Sequence, residues 1–70
     1  MFNLYTWYAW DMGRWVLRKT ADTVAELKEF LKAEPGQSYK ITDATGKIVD
    51  SRINTAGYRK GMVKPDLSEQ

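Results

Sequence analysis

Few residues in this chain are equipped for bond-making chemistry. It contains no histidine and no cysteine. The commonest general base, the thiol nucleophile and the usual zinc ligand sets are therefore missing. Catalysis would fall to paired carboxylates, or to a serine or lysine activated by burial. Glu26 and Glu29 lie near one another but on the solvent side of a predicted helix. Asp43 belongs to a turn and Asp50 to an outward strand position, and their separation does not fit a calcium loop. Ala44-Thr45-Gly46-Lys47 ends in Gly-Lys, yet it lacks the glycine spacing of a phosphate loop and runs into a strand rather than a helix. The expectation is a non-enzymatic protein with no metal, no cofactor and no small-molecule substrate.

Recognition chemistry is better supplied. Residues 1–20 hold six of the nine aromatic residues, including all three tryptophans. Tyr5, Trp7, Tyr8 and Trp10 precede Arg14 and Arg18, and Trp, Tyr and Arg are the residue types enriched at binding hot spots. A protein partner or self-association is the first reading, in the manner of small regulatory or phage-encoded accessory proteins. Aromatics for stacking beside Arg for phosphate also resemble a single-stranded nucleic-acid surface. Arg52, Arg59, Lys60 and Lys64 extend that second reading as a basic segment without acids. A net charge of +2 weighs against it, since nucleic-acid-binding domains are usually far more basic.

The elements that position these residues follow from pattern. Phe2 to Trp10 reads as a strand apolar on both faces, which belongs at the centre of a sheet or beneath a cover. Arg14 to Lys19 reads as its short, charged edge partner. Asp11-Met12-Gly13 favours a three-residue loop with Gly13 left-handed, pairing Trp10 with Arg14 and Trp7 with Leu17. Trp7, Ala9, Trp15 and Leu17 would then share the core face, leaving Tyr8, Trp10, Arg14, Val16 and Arg18 outside. A four-residue loop would instead pair Trp10 with Trp15 and exchange the faces.

Thr23 with Glu26 three residues on forms a capping box, and Val24, Leu27, Phe30 and Leu31 repeat at helical spacing. Pro35-Gly36 stops that helix near Glu34. Ser38–Asp43 and Lys47–Ile53 form a second hairpin around Asp43-Ala44-Thr45-Gly46, pairing Thr42 with Ile48 and Ile41 with Val49. Tyr39, Ile41 and Val49 would face one way, and Lys40, Thr42, Ile48 and Asp50 the other.

The fold expected is α+β: ββαββ with a four-stranded antiparallel sheet in the order 2-1-3-4 and one helix on one face. Residues 1–53 form that single domain. Residues 54–70 form a polar, flexible tail, with Tyr58 or Met62–Val63 as its means of docking back. The face opposite the helix, carrying at least two of Tyr5, Trp7, Tyr8 and Trp10, is the expected interaction surface. Asp11 and Arg14 interrupt any signal-peptide core, and no apolar run approaches the roughly 18 residues of a membrane span. The chain is thus read as cytoplasmic.

Overall fold

A computed structural model describes residues 1–68. Glu69 and Gln70, the last two positions of the expected tail, lie outside the described residues. The chain folds as β1 (Phe2–Tyr8), β2 (Arg14–Ala21), α1 (Val24–Leu31), β3 (Tyr39–Thr42) and β4 (Ile48–Arg52). The four strands make one antiparallel sheet in the order β2-β1-β3-β4. The aromatic strand is central, as its two-sided apolarity requires.

The helix begins where the capping box places it: Thr23 Oγ1 accepts from the Glu26 amide at 3.2 Å. Its α-helical part ends at Leu31. The chain then tightens through bonds three residues apart, ending with Glu34 N–H to Leu31 C=O at 2.9 Å. The apolar stripe of α1 covers one sheet face, where Leu4, Ala21, Leu27, Leu31, Tyr39 and Ile41 form a core flanked by Phe2, Val24 and Phe30.

Two β-bulges correct the expected pairings. In the first hairpin Leu4 faces Lys19 but Tyr5 faces Leu17, so Arg18 is the extra residue. Arg18 and Lys19 both reach the ring of Phe30 on the helix side. β2 is therefore not short: it runs eight residues and is blunted as an edge by its bulge as well as by its charge. In the second hairpin Thr42 faces Ile48 as expected, but Ile41 faces Asp50 rather than Val49. The unpaired Val49 moves Asp50 to the helix side, where its carboxylate meets Tyr39 Oη at 3.0 Å and Lys28 Nζ at 3.2 Å.

The first loop also differs from both expected forms. Tyr8 pairs with Arg14 and Trp7 with Trp15, leaving residues 9–13 as the connection. Within it Gly13 N–H bonds Trp10 C=O at 3.1 Å, and Asp11 and Met12 both have positive φ (54° and 74°). Those are the angles of a type I′ turn, whose twist suits a hairpin. Gly13 itself lies at φ 77°, and a Cβ there would stand 2.4 Å from Trp7 Cζ2. Only glycine lets the turn close onto the indole.

Candidate interaction surface

Alternation along β1 divides its aromatics between two environments. Phe2 and Leu4 point into the helix-side core. Tyr5, Trp7 and Ala9 point the other way and meet Trp15 from β2. Trp7, Ala9 and Trp15 thus share a face, as the sequence suggests, but it is the face away from the helix. Leu17 belongs to the same side and stays more than half exposed.

That face is not left open. Residues 54–68 carry no strand or helix, yet they run across it and bury Trp7 and Trp15 to 5% and 9% exposure. The crossing starts at a clip: the Ser38 hydroxyl donates to Asn54 C=O at 3.0 Å and accepts from the Asn54 amide at 2.8 Å. Two turns follow. Tyr58 N–H bonds Thr55 C=O, and Met62 N–H bonds Arg59 C=O. Each turn has glycine at its third position, Gly57 at φ 83° and Gly61 at φ 95°, as a type II turn demands. The repeat sets Tyr58 and Met62 down on the tryptophan cluster, and Leu67 completes it.

Polar anchors fix the segment in place. Trp7 Nε1 donates to Val63 C=O at 2.8 Å, and Trp15 Nε1 donates to Asp66 C=O at 3.0 Å. Val63 N–H in turn donates to Ala9 C=O at 2.8 Å. The two indoles meet edge to face, with centroids 5.0 Å apart. Lys40, largely buried, lays its ammonium over the rings of Trp15 and Tyr5 at 5.0 and 5.3 Å.

The expected site residues therefore separate. Tyr5 and Trp7 lie beneath the tail segment. Tyr8 and Trp10 remain 40% and 43% exposed at the end of the first hairpin, with Met12 at 88%. The Arg14 guanidinium stacks over the Tyr8 ring at 5.2 Å. A Cβ at Gly61 would stand 3.5 Å from Trp10 Cζ3, so that ring edges against the second tail turn. Arg18, though exposed, is turned to the helix side: it grips Glu34 with two bonds of 3.0 and 2.8 Å and also donates to Thr6 Oγ1.

The basic residues nearer the C-terminus separate as well. Arg52 donates to the carbonyls of Glu34 and Gln37 behind the helix, and its guanidinium lies over Tyr39 at 4.9 Å. Arg59, Lys60 and Lys64 stand exposed on the tail segment. The sequence reading named Tyr58 and Met62–Val63 as docking points, and Tyr58 and Met62 do pack on the cluster; what it missed is that the whole segment is ordered rather than flexible. The signal was present in Thr-Ala-Gly-Tyr followed by Arg-Lys-Gly-Met, two turn patterns four residues apart, each ending in an apolar residue.

Titratable groups show modest perturbation. Burial on its own would raise the Asp50 carboxyl, but bonds from Tyr39 and Lys28 outweigh it and hold the group below its ordinary value. Tyr39 is raised, first by burial and then by its bond to the Asp50 carboxylate. Among the described residues no group of three or more acidic, His or Cys side chains is placed to hold a metal ion, and no helix is long and apolar enough to cross a membrane. Comparison with known proteins finds no family model, no curated protein and no solved structure that matches this chain.

Proposed function

We propose that this protein is a non-enzymatic interaction module that binds a protein surface, a second copy of itself included, through the tip of its first hairpin. The contact residues are Tyr8, Trp10, Met12 and Arg14. The observation that carries this reading is the division of the aromatic hairpin. Its indoles at Trp7 and Trp15 are sealed by the tail segment, while Trp10 stays 43% exposed with one ring edge against Gly61 and Met12 stays 88% exposed. Met12 is held at φ 74° while almost wholly exposed. A left-handed backbone costs an ordinary residue about 1–2 kcal/mol, and a sequence that keeps a bulky apolar side chain there forgoes the glycine that would relieve it. Exposed Trp, Met, Tyr and Arg on a fixed turn are the residue types that anchor protein contacts.

The nucleic-acid reading has less support. Arg18 is engaged by Glu34, so the Tyr8–Arg14 stack lacks the second phosphate-binding arginine the pattern calls for.

Photo-crosslinking tests the proposal. Benzoylphenylalanine in place of Met12 should give a discrete adduct in extracts of the source cells, or a covalent dimer in the pure protein. The same group in place of Lys47, in the opposite hairpin, should not. Adding Trp10→Ala should abolish the Met12 adduct while the domain stays folded. Crosslinking at position 12 that is no stronger than at position 47, or that survives Trp10→Ala, would contradict the proposal.

A further inference from the structure

The tail does more than cover the tryptophan face, because its second turn is fastened to the first hairpin. Val63 N–H bonds Ala9 C=O at 2.8 Å. A Cβ at Gly13 would stand 3.0 Å from Val63 Cγ1, and one at Gly61 would stand 3.5 Å from Trp10 Cζ3. Residues 59–64 therefore run beside residues 9–13, and they bring three exposed cations, Arg59, Lys60 and Lys64, to the flank of the tip. We infer that the tip binds an acidic protein surface, and that this tail turn supplies the cationic rim that recognises it. The inference rests on the tip-binding reading and narrows its partner.

Charge is unevenly spread along the chain. In residues 9–14 and 59–64, Arg14, Arg59, Lys60 and Lys64 stand against a single acid, Asp11. Of eleven basic and nine acidic residues these take four and one, leaving a nearly neutral seven and eight for the rest of the sequence. Several of the other cations are engaged within the fold: Arg18 with Glu34, Lys28 with Asp50, Lys32 with Glu29 and Arg52 with backbone carbonyls. Among the described residues, none of Arg14, Arg59, Lys60 and Lys64 is paired with a carboxylate. Val63, 37% exposed, continues the apolar apex of Trp10 and Met12 onto the tail. An apolar apex with an unneutralised cationic rim attracts an acidic surface, and two such tips repel one another. Nucleic acid is negative too, but it engages aromatic faces by stacking. Here the Tyr8 ring is already stacked by Arg14, and the most exposed apolar side chain is a methionine next to Asp11. That combination suits an apolar patch with an acidic border on a protein.

The test is an amide-resolved NMR titration of the full chain at low ionic strength with three probes in parallel: a Glu-Glu-Leu repeat peptide, its Lys-for-Glu counterpart and an oligothymidylate of equal charge. The acidic peptide should give saturable shifts at residues 8–14 and 59–64 that weaken as salt is added. The other two should bind about tenfold more weakly or worse. Lys60→Glu with Lys64→Glu, both at exposed positions, should weaken the acidic peptide about fivefold or more and lower the photo-crosslink from position 12 to match. Lys60→Arg with Lys64→Arg should leave both readouts intact. The Trp7 and Trp15 indole signals should be unchanged in the charge-reversed variant, the tail remaining docked. Equal binding of the basic peptide or the oligothymidylate, shifts centred elsewhere, or affinity indifferent to the reversal would each overturn the inference. A position-12 crosslink that keeps its full yield after the reversal would overturn it and leave the tip reading standing. A parent chain that gives no such crosslink would remove both.

Discussion

The indole of Trp7 and the backbone of Val63 hold each other across 56 positions of sequence. The ring N–H donates to the Val63 carbonyl at 2.8 Å, and the Val63 amide reaches back to the carbonyl of Ala9 at the same distance. The residue two places beyond Trp7 thus closes the second half of a clamp on one tail residue. Trp15 makes the first of these bonds again, its ring N–H donating to Asp66 C=O. Two indoles on a sheet face would expose apolar area and unpaired N–H groups. Here both needs are met by a segment with no secondary structure of its own.

Glycine at position 13 is required by contact as well as by φ. Gly13→Ala should destabilise the domain by about 2–4 kcal/mol, combining left-handed strain with overpacking against Trp7. Gly46 has a similar φ of 88° but nothing within 4 Å of a would-be Cβ. Gly46→Ala should therefore cost only about 1 kcal/mol, from backbone strain alone. Urea denaturation of the two variants measures the difference.

Met12→Gly should move stability the other way. It creates the Asp-Gly pair that type I′ turns favour and removes an exposed apolar side chain, for a gain of about 0.5–1 kcal/mol after the entropy of glycine in the unfolded chain is counted. The same change should weaken association through the tip. A variant that is more stable yet binds less well would show that Met12 is retained for contact, and the pair of readouts is thermal melting beside the crosslinking assay.

Acid should loosen the link between β4 and the helix. The Asp50 carboxyl is held below its ordinary value of 3.8 because Tyr39 and Lys28 outweigh its burial. A depressed folded-state pKa gives stability that is present above the unfolded value and lost as pH falls through the folded one. Stability should thus decline from about pH 4 downward. Asp43, bonded by Thr45, and Asp66, bonded by Ser68, are lowered too and add to the slope. Asp50→Asn should flatten the decline without removing it. Tyr39 is raised, so its contribution is complete below about pH 10 and fades above it. Melting temperatures across pH 2–5 and 9–12 check both limbs.

Much of this architecture is legible in the sequence. The Thr23–Glu26 cap, the Val24–Leu31 stripe, the Asp43–Gly46 turn and the central place of the aromatic strand all follow from local rules, and together they imply the strand order. The bulges do not. Whether Arg18 or Val49 is looped out depends on partners far away: Glu34 and Phe30 for one, Lys28 and Tyr39 for the other. Each bulge shifts the strand phase by one and so redirects Lys19 and Asp50. The first loop escapes for a similar reason. Asp-Met-Gly favours glycine as the left-handed residue, while the chain uses Asp11, Met12 and Gly13 all at positive φ to seat Gly13 on Trp7. The tail is the largest gap: Tyr58 and Met62 stand out in its sequence as docking residues, but its path is also fixed by backbone carbonyls accepting from indoles, which no side-chain pattern announces.

The covered tryptophan face is the claim on which the tip-binding proposal depends, and indole hydrogen exchange tests it directly. The three Nε1–H signals should divide. Trp7 and Trp15 should exchange slowly and resist acrylamide quenching, while Trp10 exchanges rapidly and quenches readily. Trp7→Phe should then raise exchange at Trp15 and open Arg59 and Lys60 to trypsin, since the clamp on Val63 is lost. Three indoles exchanging alike in the native chain would contradict the account, placing the tail away from the sheet and returning Trp7 and Trp15 to the open surface.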